Sequence, residues 1–269
     1  MLRPLVTHEE YGACVELQKA TWGEDFNEVV PATILKIANR VGGLTAGAFQ
    51  RARLLGFVFG LTGVEDGRLV HWSHMLGVRP EARDAGLGAR LKEYQRELLA
   101  ARGVEVIYWT FDPLVARNAH LNLNKLGAQV REYVPDMYPD SSSTLHRFGT
   151  DRFVVGWRVG GAGAGEGGAG VVSGESAARA NGGRGGRVAW AEGPVVNEAG
   201  ALGALVEAAV VRIEVPADVQ GVAAAEAARW REGTRGAFVH YLGRGYAVAG
   251  FEREGISGRC YYLLTRAER

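Results

Sequence analysis

The most informative part of the sequence is residues 78–89, which read Val78-Arg79-Pro80-Glu81-Ala82-Arg83-Asp84-Ala85-Gly86-Leu87-Gly88-Ala89. An apolar run ends at Val78, a short loop carries Arg83, Gly86 and Gly88, and a helical period begins directly afterwards. Glycines let backbone N–H groups approach a ligand closely, because no Cβ stands in the way. The first N–H groups of a helix lack intrahelical partners and carry partial positive charge. The stretch therefore predicts a cradle for a pyrophosphate group.

The segments before this cradle predict a strand, two helices and three further strands. Thr7 and Glu10 have the spacing of a capping box, which predicts a helix from Thr7 to about Trp22. Pro31 opens a second helix. An Asp-Gly pair at residues 66–67 favours a tight hairpin. The predicted strands are residues 2–6, 43–50, 53–62 and 69–78.

The segments after the cradle predict a parallel crossover. Leu87, Leu91, Tyr94 and Leu98 have helical spacing and lead to a stop at Gly103. A strand, helix, strand order of this kind places the two strands parallel in one sheet. Further on we predict a strand at 104–110, a helix at 115–126, a long functional loop at 133–148 and a strand at 151–159.

A change of composition divides the chain. Residues 160–186 are dominated by glycine, alanine and serine, a composition that cannot bury enough apolar surface to fold by itself. We therefore predict a first domain at residues 1–159, a Gly/Ala-rich linker at 160–186 and a small C-terminal α/β domain at 187–269. The last of these would have strands at 187–191, 208–215, 236–251 and 259–265 and a helix at 218–232.

The pattern Arg-x-x-Gly-x-Gly after a strand resembles the acyl-CoA signature of the GNAT superfamily of N-acyltransferases. Val78, Pro80, Arg83, Gly86 and Gly88 carry this likeness. Further blocks resemble a largely uncharacterised bacterial branch of that superfamily, and the likeness runs from Leu2 to about Trp157. These blocks are His74–Val78, Trp109–Pro113, Arg117–Asn122 and Thr150–Phe153.

The resemblance implies an α/β fold with a mixed, mainly antiparallel sheet flanked by helices, followed by a smaller C-terminal α/β unit. It implies that acyl-CoA, as acetyl-CoA or succinyl-CoA, is the co-substrate. The sequence has no His-Glu-x-x-His or paired Cys-x-x-Cys motif, so we expect no metal. Pantetheine would enter beside the strand that precedes the cradle, and an acyl group would pass to the primary amine of a small metabolite such as an amino acid. The implied cofactor-binding residues are Leu76, Gly77, Val78, Arg83, Asp84, Ala85, Gly86, Leu87, Gly88, Ala89 and Asn118.

The catalytic residues depart from the family's pattern. Many members carry a carboxylate base on the strand before the cradle, but none stands between Arg68 and Glu81 here. His74 is the first substitute as base and His71 the second, because imidazole titrates in the required range. The alternative for each is a strand histidine that is packed and hydrogen-bonded for stability. The family's usual tyrosine acid is replaced by Leu123. Tyr138 could replace it, or the thiolate could leave without an acid.

Arginines are the candidates for binding an acceptor carboxylate, since a guanidinium binds it bidentately. The candidates are Arg117 and Arg152, with Arg147 as a further option. The alternative for each is a surface salt bridge, which is common in a chain this rich in arginine. Asp112 could orient the acceptor amine. Alternatively Asp112 fixes the turn that includes Pro113.

Composition excludes several other classes. With 31 basic and 30 acidic residues the formal net charge is +1, which gives no case for binding nucleic acid or an anionic membrane. The glycine loop lacks the Lys-Ser/Thr pair of a P-loop, which disfavours nucleotide hydrolysis. The third glycine of a dinucleotide-binding motif would fall at position 91, which is leucine, so NAD binding is disfavoured. The two cysteines form no disulfide or metal pattern, and no signal peptide is evident, so we expect a cytoplasmic protein. A homodimer and a non-catalytic acyl-CoA-binding or regulatory module stay open as alternatives.

Overall fold

The computed structural model describes residues 1–83, 85–159, 193–255 and 257–266. These residues form two compact units that interleave along the chain. The first unit contains the described residues 1–109, 140–147 and 156–159, and the second contains the others. The division into domains at 1–159, 160–186 and 187–269 stays a prediction. The predicted linker and the predicted strand at 187–191 lie outside the described residues.

The helices and strands confirm the predicted order up to the cradle and the parallel crossover after it. The chain begins with β1 (Leu2–Pro4), α1 (His8–Trp22), α2 (Ala32–Arg40), β2 (Leu44–Gln50), β3 (Arg53–Glu65) and β4 (Arg68–Val78). It continues with α3 (Leu87–Ala100), β5 (Val106–Phe111), α4 (Ala116–Ala119), β6 (Gln129–Val134) and β7 (Arg152–Arg158). The last elements are β8 (Val210–Val215), α5 (Ala224–Leu242), β9 (Tyr246–Arg253) and β10 (Cys260–Arg266).

The predicted mixed, mainly antiparallel sheet with flanking helices is confirmed. The strand order is β1-β2-β3-β4-β5-β7-β6, and β5 and β7 each contribute residues to both units. β1 to β4 pair antiparallel with their neighbours, whereas β4 and β5 are parallel. A smaller antiparallel sheet, β8-β10-β9, lies in the second unit. Of the helices that the structure describes, none combines the length and apolarity that crossing a membrane requires.

The first unit has three layers, because both faces of β2 and β3 are apolar. α1 begins with the predicted capping box, in which Glu10 N donates to the Thr7 hydroxyl and Thr7 N donates to the Glu10 carboxylate. Leu17 of α1 packs with Phe57 and Phe59 on one face of the sheet. On the other face Leu91 of α3 packs with buried side chains of β2 and β3. The sheet is thus buried between α1 and α2 on one side and α3 on the other.

Two predictions about secondary structure are wrong. β6 occupies residues that we left without a strand or assigned to the loop at 133–148. α5 begins later than the predicted helix and continues to Leu242, through residues predicted as a strand. Gly233 lies inside α5, where it allows a close backbone approach. A Cβ on Gly233 would lie 2.1 Å from the Gly200 carbonyl oxygen.

Gly60 generates a prediction about stability. A Cβ on Gly60 would lie 2.2 Å from His71 Nε2 and 2.4 Å from the Trp72 carbonyl oxygen. Gly60→Ala should therefore destabilise the protein by about 1–3 kcal/mol through overpacking, as measured by urea denaturation. Gly63→Ala, in the same strand, is the control, because a Cβ there meets nothing within 4 Å. Equal stability of the two variants would contradict this account of the packing.

Candidate functional site

A gap opens in the sheet between β4 and β5. The two strands pair only at Val70–Val106, His71–Ile107 and Trp72–Tyr108. β4 nevertheless stays paired with β3 on its other side as far as Val78. Beyond Trp72, β4 therefore presents an edge of backbone N–H and C=O groups toward β5 that are not used in pairing with it. We call residues 73–78 of β4 the open edge.

A β-bulge explains where the pairing ends. Phe59 of β3 pairs with Met75, but the next residue, Gly60, pairs with Ser73, so His74 is an extra residue in β4. A bulge bends its strand and increases the local twist. Because His74 follows Trp72 by two residues, the bend falls where β4 and β5 separate.

The N-terminus of α3 lies at the other end of the open edge. Gly86 has φ of 70° and precedes α3 without a side-chain cap, and its carbonyl accepts the first intrahelical bond from Arg90 N. Gly86 has no side chain with which to cap the first N–H groups of α3, and Ala85 and Gly86 are exposed. Arg83 Nε donates to the Val78 carbonyl at 3.2 Å, which holds this side chain at the end of β4.

The other predicted cofactor-binding residues of the first unit surround this point. Leu76, Val78 and Leu87 are partly buried and pack against the core cluster that includes Leu91. Gly77 is buried, and a Cβ there would lie 2.8 Å from the Phe57 ring. Gly88 and Ala89 lie in the first turn of α3, whereas Asp84 lies outside the described residues.

His74 is solvent accessible. Its ring lies 6.0 Å from the Phe59 ring in an edge-to-face arrangement. Partial desolvation lowers the pKa of His74, and the nearby Glu28 carboxylate opposes that shift. The imidazole of His74 is thus mainly neutral near pH 7, which is the form that accepts a proton.

Glu28 is a residue that the sequence analysis missed. It belongs to the connection between α1 and α2, and Ser141 Oγ donates to Glu28 Oε2 at 2.8 Å. His146 Nδ1 lies 2.8 Å from the same Ser141 oxygen. The carboxylate that raises the pKa of His74 therefore belongs to a different element, although β4 itself carries none between Arg68 and Val78. No local sequence pattern relates Glu28 to His74. The sequence pointed to this region only through the predicted loop at 133–148, which contains Ser141.

His71 occupies a closed environment instead. Its side chain is fully buried, with Nδ1 2.9 Å from the Thr62 hydroxyl and Nε2 3.1 Å from Gln95 Nε2. Burial, with smaller contributions from the Lys92 and Arg102 charges, lowers the pKa of His71 to about 3. Both ring nitrogens have partners inside the protein, so the structure favours the structural interpretation of His71.

The second unit contains the other predicted site residues. Asp112 receives a bidentate contact from Arg231 at 2.9 and 2.7 Å, and its Oδ1 also accepts from Leu114 N at 2.9 Å. These contacts match the predicted role of Asp112 in fixing the turn. Arg152 is buried, and its Nη1 atom lies 3.9 Å from Asp112 Oδ2. The same nitrogen donates to the Asp151 carbonyl at 2.9 Å. Burial lowers the pKa of Arg152.

Three further residues of the second unit keep their predicted roles only as predictions. The Tyr138 hydroxyl lies 3.3 Å from the Thr110 hydroxyl. Arg117 is exposed and Asn118 partly buried, both on α4. Within the part of the chain that the structure describes, no three His, Cys, Asp or Glu side chains group together as a metal ion would require.

Comparisons with known proteins add only structural likenesses. No family model matches the sequence, and no curated protein matches it. An Escherichia coli ribosomal-protein-S18-alanine N-acetyltransferase is similar over 61% of this chain and 97% of its own, at 16% identity and a TM-score of 0.47. A GNAT-family acetyltransferase from Streptococcus pneumoniae is similar over 60% of this chain and 99% of its own, at 16% identity and a TM-score of 0.48.

An aminoglycoside 6'-N-acetyltransferase complexed with coenzyme A is similar over 59% of this chain and 97% of its own, at 14% identity and a TM-score of 0.45. The similar structures thus include the family that the sequence motifs resemble. Because these identities and TM-scores are low, we base the proposals below on the residues of this chain.

The environment of His71 generates a prediction about pH. Its pKa in the folded protein, about 3, lies below the ordinary value of 6.5, so the unfolded chain binds the proton more readily. Protonation of His71 in the unfolded chain therefore lowers the free energy of unfolding as the pH falls from 6.5 toward 3. At pH 5 the loss is about 2 kcal/mol, and above pH 6.5 there is none. NMR should show the His71 ring neutral at pH 5, with the signal assigned by its loss in His71→Gln. A titration midpoint near pH 6.5 would contradict the buried environment.

Proposed function

We propose that this protein is an acyl-CoA-dependent N-acyltransferase that moves an acetyl or other short acyl group to the primary amine of a small metabolite such as an amino acid. The observation that carries this proposal is the gap between β4 and β5, with the uncapped N-terminus of α3 at its open end. The open edge of β4 and the N-terminus of α3 both belong to the first unit, as does β5 up to Trp109. Together they suit a ligand with a diphosphate at one end and a long amide-bearing arm.

The two ends of such a ligand require different surroundings. The diphosphate fits the N–H groups that begin α3, because these carry partial positive charge and the exposed Gly86 leaves the approach open. The amides of the pantetheine arm can bond to the open edge in the way that an added strand would. Five residue steps along the open edge span about 17 Å, enough for an extended arm to lie beside it.

The chemistry follows from direct attack by the amine. Its nitrogen forms a bond to the thioester carbonyl carbon, the carbon–sulphur bond breaks, and the sulphur leaves with the electron pair. A cysteinyl intermediate has no support, since both cysteines are buried. Burial raises the pKa of Cys14 to about 12 and also raises the pKa of Cys260, which disfavours the nucleophilic thiolate.

His74 is the general base in this proposal. An amine must lose a proton to become a stable amide, and a mainly neutral imidazole beside the gap can accept it. The charge that then develops on the imidazole is stabilised by Glu28, whose carboxylate already favours the charged form of His74. The predicted acceptor contacts of Asp112, Arg117 and Arg152 and the predicted acid role of Tyr138 add no support here, because these residues belong to the second unit.

The alternative is a module that binds acyl-CoA without turning it over. The accessible imidazole of His74 beside a carboxylate favours the enzyme, because a binding module has no need of a proton acceptor at this point. Release of CoA from acetyl-CoA or succinyl-CoA, measured with a pool of amino acids as acceptors, separates the two. Saturable binding without release would support the module instead.

The pyrophosphate cradle is tested by Gly86→Val. The valine side chain should occupy the approach to the α3 N-terminus and weaken CoA binding at least tenfold, as measured by calorimetry. Gly67→Val is the matched control, because Gly67 also has positive φ, 75°, and open space around its missing Cβ, but lies in the hairpin between β3 and β4. Equal CoA affinity in the two variants would refute the cradle.

The base is tested by His74→Gln. Glutamine keeps a polar side chain but accepts no proton, so kcat should fall roughly 10²-fold while CoA affinity stays unchanged. The exposed His8→Gln provides the control. An unaltered kcat over the whole pH range would remove His74 from the mechanism.

A further inference from the structure

A buried amine lies beneath the closed end of the gap. Lys92 of α3 is 5% exposed, and its Nζ donates to Ser73 Oγ at 2.7 Å. The same nitrogen lies 4.0 Å from the centre of the Trp109 ring. Among the described residues, no carboxylate forms a salt bridge with Lys92. Burying an ammonium ion without a carboxylate partner costs free energy, because burial penalises the charged form.

The position of this cluster is set by the strand pairing. The last paired residues of β4 and β5 are Trp72 and Tyr108. Ser73 directly follows Trp72, and Trp109 directly follows Tyr108. The Lys92 amine therefore contacts the first residue of each strand beyond the point of separation. On the proposed function, the diphosphate lies at the open end of the gap, so the thioester at the far end of the arm lies toward these residues.

We propose that Ser73 and Lys92 together deliver the proton that the departing CoA sulphur takes up. This inference rests on the proposed function. Ser73 Oγ accepts a hydrogen bond from Lys92, so the hydroxyl hydrogen can be directed to another acceptor. Ser73 is the group that meets the sulphur, and Lys92 is a positioning residue that acts through it.

The proton balance of the step is complete. As the carbon–sulphur bond breaks, the sulphur takes the Ser73 hydroxyl proton, and the Ser73 oxygen takes a proton from Lys92 Nζ. The proton of the attacking amine passes to His74. Before the next turnover His74 releases its proton to the solvent and the neutral Lys92 amine takes one up from the solvent, so no other reactant is needed.

The electrostatic surroundings suit this role. Burial lowers the pKa of Lys92 to about 7, so both of its protonation states are populated near neutral pH. On β4 the neighbouring His71 is uncharged at this pH, since its pKa is about 3. On α3, Glu93 and Arg96 pair with each other at 3.4 Å. Arg102, which follows α3, carries a positive charge that helps to lower the pKa of His71. The indole of Trp109 on β5 does not titrate.

The test is the pH profile of kcat in four variants. A proton donor must be protonated, so wild-type kcat should fall as the pH rises through the Lys92 pKa. Lys92→Met and Ser73→Ala should each lower kcat about 10- to 100-fold and abolish this alkaline decline, while the dissociation constant for CoA changes less than twofold. Lys92→Arg retains the charge but cannot release a proton, so it should lose the decline as well. The exposed Lys36→Met is the control.

The outcomes separate the two proposals. If wild-type protein neither binds CoA nor releases it from acetyl-CoA, the proposed function fails and this inference fails with it. If wild-type protein turns over but shows no alkaline decline, or if Lys92→Arg keeps the decline, only the role of Lys92 is overturned. Should Lys92→Met not fold, Ser73→Ala carries the test, because it removes one oxygen atom, and an unchanged profile in that variant overturns the inference.

Discussion

The backbone pairing between β4 and β5 ends after three residues, and most of what this protein offers chemically depends on that interruption. An uninterrupted pair of strands would satisfy every backbone group between them and leave no space for a ligand. The extra residue His74 bends β4 while its pairing with β3 continues to Val78. The strand is thus held firmly on one side and open on the other, so the open edge can be accessible and ordered at once.

The packing of α3 shows a second consequence of the same constraint. The face of α3 that covers the sheet includes Lys92 and Gln95, both almost fully buried, and Gln95 Oε1 has no hydrogen-bond partner among the described residues. His71 and Ser73 of β4 meet these side chains. A cluster of this kind costs stability relative to an apolar core. The cluster lies where β4 and β5 separate, which is where the proposed function places the thioester.

In the second unit, opposite charges pair with each other. The buried Arg231 binds both oxygens of Asp112, and the partly exposed Arg235 contacts the buried Asp151 and the exposed Asp136. Beside these pairs the rings of Phe153, Phe238 and Tyr262 pack edge to face. Removing one member of a buried pair leaves an uncompensated charge, so such pairs define one arrangement more strictly than apolar contacts do. Lys92 of the first unit differs because, among the residues that the structure describes, no carboxylate pairs with it.

Patterns within a few residues of one another determined the capping box of α1, the Asp-Gly hairpin, the glycine stretch before α3 and the parallel crossover, because each depends on local backbone preference or on one period of apolar side chains. Local patterns failed where tertiary packing overrides them, as in the glycines of α5, and where β6 has no strong alternation. Three features follow from the tertiary structure alone: the Glu28 carboxylate acts on the pKa of His74, both nitrogens of His71 have partners, and Lys92 contacts Ser73 and Trp109. These groups are far apart in the chain, and their charges and partners follow from burial, which no short stretch of sequence specifies.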